Sequence, residues 1–232
     1  MKRQIDEDLK TLREKLLKMA ALVEENIRLA VEALKERDKE KTQKVFLNEE
    51  KINSLDVEID RLCLQLLALK QPMAIDLRLI TAAMKIEGEL ERIGDQAVNI
   101  SERTLELLKI PPLKPLIDIP RMAELAQGMV KDALDAFVHQ DAGLAREVCL
   151  RDDEVDALNN QIFRELLTYM MEDPKTIRAA VGLMLVGRHL ERIADHATNI
   201  GEDVIYYVKG KTIKHHCEQR NQKRKIPGIS IS

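Results

Sequence analysis

The chain has 232 residues, 33% charged, 45% apolar and 3% aromatic with no Trp, and a net charge of −3. Leu, Ala, Glu, Lys and Arg dominate, which is a composition of long helices. No apolar run approaches the roughly 18 residues of a membrane span, and the charged start Met1-Lys2-Arg3-Gln4-Ile5-Asp6 reads as no signal peptide, so a soluble cytoplasmic protein is expected.

The predicted elements follow one another as helices. Apolar residues at three- and four-residue steps place helices near 5–37, 40–69, 75–109, 120–139, 142–171 and 175–208. The second carries the seam Val45, Ile52, Leu55, Ile59, Leu62, Leu66 and Leu69. Seams Ala83, Ile86, Leu90, Ile93, Ala97 and Ile100 in the third and Leu183, Val186, Leu190, Ile193, Ala197 and Ile200 in the sixth match each other. Gln71-Pro72, the stretch Ile110-Pro111-Pro112-Leu113-Lys114-Pro115 with Pro120, and Glu172-Asp173-Pro174 interrupt the periodicity. The fold class is therefore all-α: a tandem repeat of two antiparallel three-helix bundles, elongated. Residues 1–110 form the first bundle, 111–120 a Pro-rich linker, 121–208 the second bundle and 209–232 a basic tail. From Lys209 onward seven Lys or Arg face one Glu, which leaves residues 1–208 at −9. The tail has the charge to touch an acidic surface, but it has no aromatic side chain for base stacking, so nucleic acid is not expected. Cys63 and Cys149 lie in apolar stretches and read as small buried hydrophobes.

The two halves are copies. Leu90-Glu91-Arg92-Ile93-Gly94-Asp95-Gln96-Ala97-Val98-Asn99 recurs 100 positions later as Leu190-Glu191-Arg192-Ile193-Ala194-Asp195-His196-Ala197-Thr198-Asn199. Upstream the offset becomes 103, pairing Asp38 with Asp141, Ile52 with Val155 and Ile59 with Ile162. The change falls in a connection, as a structural repeat requires.

What is repeated most faithfully is polar. Glu91, Asp95 and Asn99, and again Glu191, Asp195 and Asn199, stand at four-residue steps on one helix face. The wheel puts them opposite the apolar seam, with Glu87 beside them. Glu87, Glu91 and Asp95 are like charges at consecutive i,i+4 steps, an arrangement that costs a few tenths of a kcal/mol per pair. Solubility alone gives no reason to keep Glu, Asp and Asn at those three places twice. On the preceding helices Asp152 and Asp156 repeat Glu49 and Asn53. Asp156 and Glu191 each lie about 17 residues from the turn between their helices, which would set Asp156 level with Glu191 and Asp152 level with Asp195. Facing carboxylates at one height make a hard, oxygen-rich cation site open to Mg, Ca, Mn or Fe. The other reading is a solvated acidic face, because an outward stripe and a flanking one need not meet. No histidine follows a Glu by three residues, there is no phosphate-binding loop, and no nucleophile–base set is present, so an enzyme is not expected. Gly88, Gly94 and Gly187 inside predicted helices cost about 1 kcal/mol each against Ala and read as sites of close helix approach.

The run Ala83-Met84-Lys85-Ile86 into Glu91-Arg92-Ile93-Gly94-Asp95 and Asn99, its second copy, Gln71-Pro72 and Asp76-Leu77-Arg78 together resemble the PhoU family over residues 5–208. The resemblance implies a negative regulator of phosphate uptake acting between the ATP-binding subunit of the phosphate transporter and a sensor histidine kinase at the membrane face. It also implies surface metal clusters, iron foremost, and a homodimer. Carried onto this chain, the ligands would be Glu91, Asp95, Glu191, Asp195, Asp152, Asp156 and Glu49. Asn53 departs from the acid expected at its position, which would leave the first site one charge weaker. The competing expectation is a metal-independent helical adaptor whose acidic faces bind partners directly.

Overall fold

A computed structural model describes residues 4–210. The basic tail beyond 210 lies outside the described residues. Six helices carry the described chain: α1 Gln4–Glu36, α2 Lys39–Lys70, α3 Ile75–Leu107, α4 Asp118–His139, α5 Ala142–Glu172 and α6 Ile177–Lys209, with a 3-10 turn Pro174–Thr176 before α6. None is long and apolar enough to cross a membrane.

The repeat is visible in the turns as well as the seams. Between α1 and α2, Arg37 takes a left-handed φ of 58° and Asp38 caps α2 by accepting from the Glu40 amide at 2.8 Å. Between α4 and α5, Gln140 (φ 55°) and Asp141 do the same, the Asp141 carboxylate accepting from the Gly143 amide at 2.8 Å. An N-cap aspartate satisfies amides that the first helical turn leaves without partners. The structure begins α4 two residues before the predicted start. Pro120 therefore lies inside its first turn, where its missing N–H costs nothing.

α3 and α6 form the centre. They run antiparallel, since Arg78 donates to the Tyr207 carbonyl at 3.1 Å near one end and Leu107 packs over Gly182 at the other. Leu90, Ile93, Ala97 and Ile100 of α3 and Leu190, Ile193, Ala197 and Ile200 of α6 are all fully buried. α1 and α2 pack on α3, and α4 and α5 on α6. The two bundles share a single hydrophobic core across the α3–α6 seam. Their relation is close to two-fold: the Gln96–His189 contact at 2.9 Å is reproduced, one repeat away and on the other side of the axis, by Glu89–His196 at 2.8 Å.

The far end of α3 is closed by an arginine. Arg37 Nη2 donates to the carbonyls of Leu107, Leu108 and Ile110 at 3.2, 3.0 and 2.8 Å. The Leu107 oxygen also accepts from the Ile110 amide at 3.3 Å, and Leu108 and Ile110 lie just past the helix, where a cation suits the negative end of the helix dipole.

Candidate metal centres

In each half, one row of polar side chains on the central helix faces a row on its neighbour. In the first half α2 contributes Glu49, Asn53 and Asp56, and α3 contributes Glu87, Glu91 and Asp95. Antiparallel packing sets Glu49 against Asp95 and Asp56 against Glu87. Burial, then Asp95 and Glu91, push the Glu49 carboxyl up to about 7, with only a small opposing pull from the Asn53 amide. Both Glu49 oxygens are shielded from solvent and neither accepts a hydrogen bond of ordinary geometry. Burial, Asp95 and Asp56 raise Glu91 as well. Glu87 is 6% exposed. Burial and a hydrogen bond to Asp56 hold its carboxyl far above the usual range, so that Glu87 is the donor of that pair.

In the second half α5 supplies Asp152, Asp156 and Asn159, and α6 supplies Glu191 and Asp195. Burial, then Asp195, Asp156, Asp153 and Glu191, push Asp152 up to about 6. Burial, Glu191 and Asp156 raise Asp195, against the pull of Arg188 and His196. Glu191 is already engaged: one oxygen accepts from Asn159 Nδ2 at 3.0 Å and from the Arg188 guanidinium.

The two copies reach similar crowding with different residues. A Cβ built on Gly94 would stand 2.9 Å from Glu49 Oε2. The long Glu49 side chain thus lies against the backbone of α3, where the second copy pairs the shorter Asp152 with Ala194. A Cβ on Gly187 would stand 2.9 Å from Asn159 Oδ1, and the first copy puts Asp56 and Glu87 at those two places. At Gly94 and Gly187 the flanking helix does approach closely, as expected, and the side chain it brings nearest is one of the site rows, with Ile52 or Ile162 behind it. Gly88 has nothing within 4 Å of its would-be Cβ, and the close approach expected there does not occur.

Three further expectations are corrected. The stripe does not simply face solvent: Glu91 and Glu191 are half-buried against the flanking helix, Glu87 is buried, and of its carboxyls only Asp95 and Asp195 are exposed. Asn199 does not continue the acidic row, because its amide donates across the α3–α6 seam to Glu89 Oε2 at 3.0 Å, beside His196. The deficit at Asn53 is offset one turn along by Asp56, the repeat partner of Asn159, and Glu87 adds a further carboxyl. Asp56 could have been found as the residue three after Asn53 on the same face. Of the cysteines, Cys63 is buried and Cys149 is half-buried.

Among the described residues no three His, Cys, Asp or Glu side chains converge on a point able to hold a metal ion as they stand. Their chemistry nonetheless fits a hard cation. All the ligand atoms are oxygens, the carboxyls repel one another, and Glu49 presents two buried oxygens that accept no hydrogen bond of ordinary geometry. Other residues line the cavities of about 540 Å³ along α2 at Val57 and Leu64, of about 510 Å³ beneath the linker at Leu107 and Leu183, and of about 310 Å³ beside Tyr207 and Asp76.

Known proteins with this architecture are close in sequence. The PhoU domain family matches residues 16–104 and 119–204, one match per half. A phosphate-specific transport system accessory protein PhoU homolog of Aquifex aeolicus is 44% identical over 216 residues, covering 93% of this chain and 98% of the relative. The Caulobacter vibrioides homolog is 44% identical over 208 residues, 89% of this chain and 90% of the relative. The crystal structure of PhoU from Pseudomonas aeruginosa superposes with a TM-score of 0.87 at 40% identity, covering 90% of this chain and all of that one. A phosphate transport system regulatory protein PhoU from Streptococcus pneumoniae gives 0.83 at 28% identity, with 91% and 100% covered. Matched in both halves and along nearly the whole of these relatives, the chain belongs to the PhoU family.

Proposed function

We propose that the protein is an accessory regulator of phosphate-specific transport that works by docking. In this reading it restrains uptake by coupling the ATP-binding subunit of a phosphate transporter to a sensor histidine kinase at the cytoplasmic face of the membrane. Its two carboxylate faces bind iron or another divalent cation. The support for the system is the naming of the relatives as accessory or regulatory proteins of phosphate transport. The support for the metal is the facing rows and, above all, the orphaned buried oxygens of Glu49.

The residues divide the work. Glu49, Glu91 and Asp95, with Asn53 at the edge, would hold a cation in the first half, and Asp152, Asp156, Glu191 and Asp195 in the second. A bound cation supplies the positive charge that relieves the repulsion within each row. The rigid α3–α6 seam keeps the two faces at fixed separation, which lets one protein present two docking sites at once. Nothing in this reading requires bond-making chemistry, and it describes a binding protein rather than an enzyme.

A second reading has one observation in its favour. Three carboxyls do not yet converge, and Arg188 already sits on Glu191. The acidic faces would then bind basic partner segments directly, as a metal-free adaptor. Chelation separates the two. Binding of the transporter's ATP-binding subunit is measured with and without prior metal stripping, and at two salt concentrations. Loss on stripping and recovery on adding iron or manganese supports the metal-dependent face. Binding that survives stripping and falls with salt supports the adaptor.

A further inference from the structure

We infer that the two faces are unequal, the α2–α3 face taking its cation first and holding it more tightly, the α5–α6 face being partly neutralised by its own arginine. This rests on the metal-binding reading above. It reverses the ranking that Asn53 alone suggests.

The difference is written at two adjacent positions of the repeat. Where α3 has Glu87-Gly88, α6 has Gly187-Arg188. The first half thus gains a carboxyl and the second a guanidinium in the same turn of the same helix. Across the groove the donors are Glu49 and Asp56 in the first half, and Asp152 and Asp156 in the second, with Asn159 at the place of Asp56. Counting both helices, the first face brings Glu49, Asp56, Glu91 and Asp95 as carboxylates, while Glu87 keeps its proton, donated in a hydrogen bond to Asp56, and adds no charge. The second brings Asp152, Asp156, Glu191 and Asp195, with the Arg188 guanidinium on Glu191.

The state of the oxygens points the same way. Glu49 has two buried oxygens whose one polar neighbour is the Asn53 amide, with no cation on either, so a cation entering there displaces no counter-ion from Glu49. Glu191 Oε2 already accepts from Asn159 and from Arg188, so a cation taking that oxygen competes with both, and one taking Oε1 still meets the Arg188 charge. Arg188 is free to leave: its side chain is 59% exposed, while that of Glu191 is 17% exposed. The arginine is therefore a removable counter-ion that weakens the second face without closing it. Removal of one charge at such a distance changes cation affinity by about tenfold or more.

The experiment is a manganese(II) titration of the chelator-stripped full chain at pH 7.5, with free manganese read by its electron paramagnetic resonance signal. Wild type is compared with Glu49→Gln, Asp152→Asn and Arg188→Gln, all checked for helical content by circular dichroism. The expected result is two classes of site at least tenfold apart. Glu49→Gln should abolish the tight class and Asp152→Asn the weak one, while Arg188→Gln should tighten the weak class about tenfold and leave the other in place. Two equal classes, a tight class lost with Asp152→Asn, or indifference to Arg188→Gln would overturn the inequality while leaving the metal reading standing. Failure to bind manganese at any concentration up to millimolar would overturn both.

Discussion

Changing Gly94 to Ala in the middle of α3 should stabilise the fold and damage the first face at once. A new Cβ would lie 2.9 Å from Glu49 Oε2, closer than carbon and oxygen tolerate, and 3.4 Å from Ile52 Cδ1, an ordinary contact. The strained neighbour is the end of a flexible side chain, so Glu49 swings outward and the helices stay where they are. Ala is preferred to Gly inside a helix by about 1 kcal/mol. The displaced carboxyl also escapes an environment that had raised it to about 7. The full shift would correspond to roughly 3 kcal/mol at pH 8, and screening in a half-open groove reduces the recoverable part to about 1 kcal/mol. The sum is a gain of about 1–2 kcal/mol, or a Tm higher by about 2–8 °C for a chain of this size. Calorimetry of metal-free protein at pH 8 measures the stability, and a manganese titration measures the first face. A lower Tm with metal binding intact would show that α3 approaches α2 there for packing at Ile52, and that Glu49 is not what the glycine accommodates.

Other outcomes follow from the same contacts. Metal-free protein should become more stable by about 1–3 kcal/mol as pH falls from 8 to 6. A carboxyl whose folded pKa is raised binds more protons folded than unfolded. Its contribution is complete below the unfolded value and lost as pH rises through the folded one, which for Glu49 is about 7 and for Asp152 about 6. Burial lowers His189, which acts in the opposite sense as pH falls through about 6.5 and should flatten the gain below that point. Urea unfolding across this range in the presence of a chelator reads the slope, and stability that climbs with pH would contradict the crowding. Arg37→Ala removes the donor to three carbonyls at the end of α3 and should cost about 1–2 kcal/mol. The loss should appear as faster amide exchange in the last turn of α3, and unchanged exchange there would refute the capping role.

The helices were legible because their apolar seams keep one period over thirty residues, and because Pro72, Pro111-Pro112 and Pro174 interrupt it where helices end. The repeat was legible in Leu90–Asn99 and Leu190–Asn199 for the same reason. The depth of the acidic row was not. A wheel drawn for α3 alone places Glu91 opposite the seam, and only the approach of α2 turns that flank into a groove. Glu87 was the hardest to place, since a buried glutamate is normally disfavoured. It is tolerated because Asp56, on another helix, accepts its proton's hydrogen bond. Asn199 misled because its spacing matches Glu191 and Asp195, whereas one further step around the helix brings it over the α3–α6 seam to Glu89. Arg37 was unreadable for a different reason: a left-handed arginine in a turn carries no spacing signal.

The central claim is that the repeated carboxylate faces hold metal. Elemental analysis of protein purified from medium supplied with iron and manganese tests it directly, comparing wild type with Glu91→Ala/Asp95→Ala/Glu191→Ala/Asp195→Ala. The account predicts metal in the first and none in the second, with both equally helical. Wild-type protein free of metal, or metal retained by the fourfold variant, would contradict it.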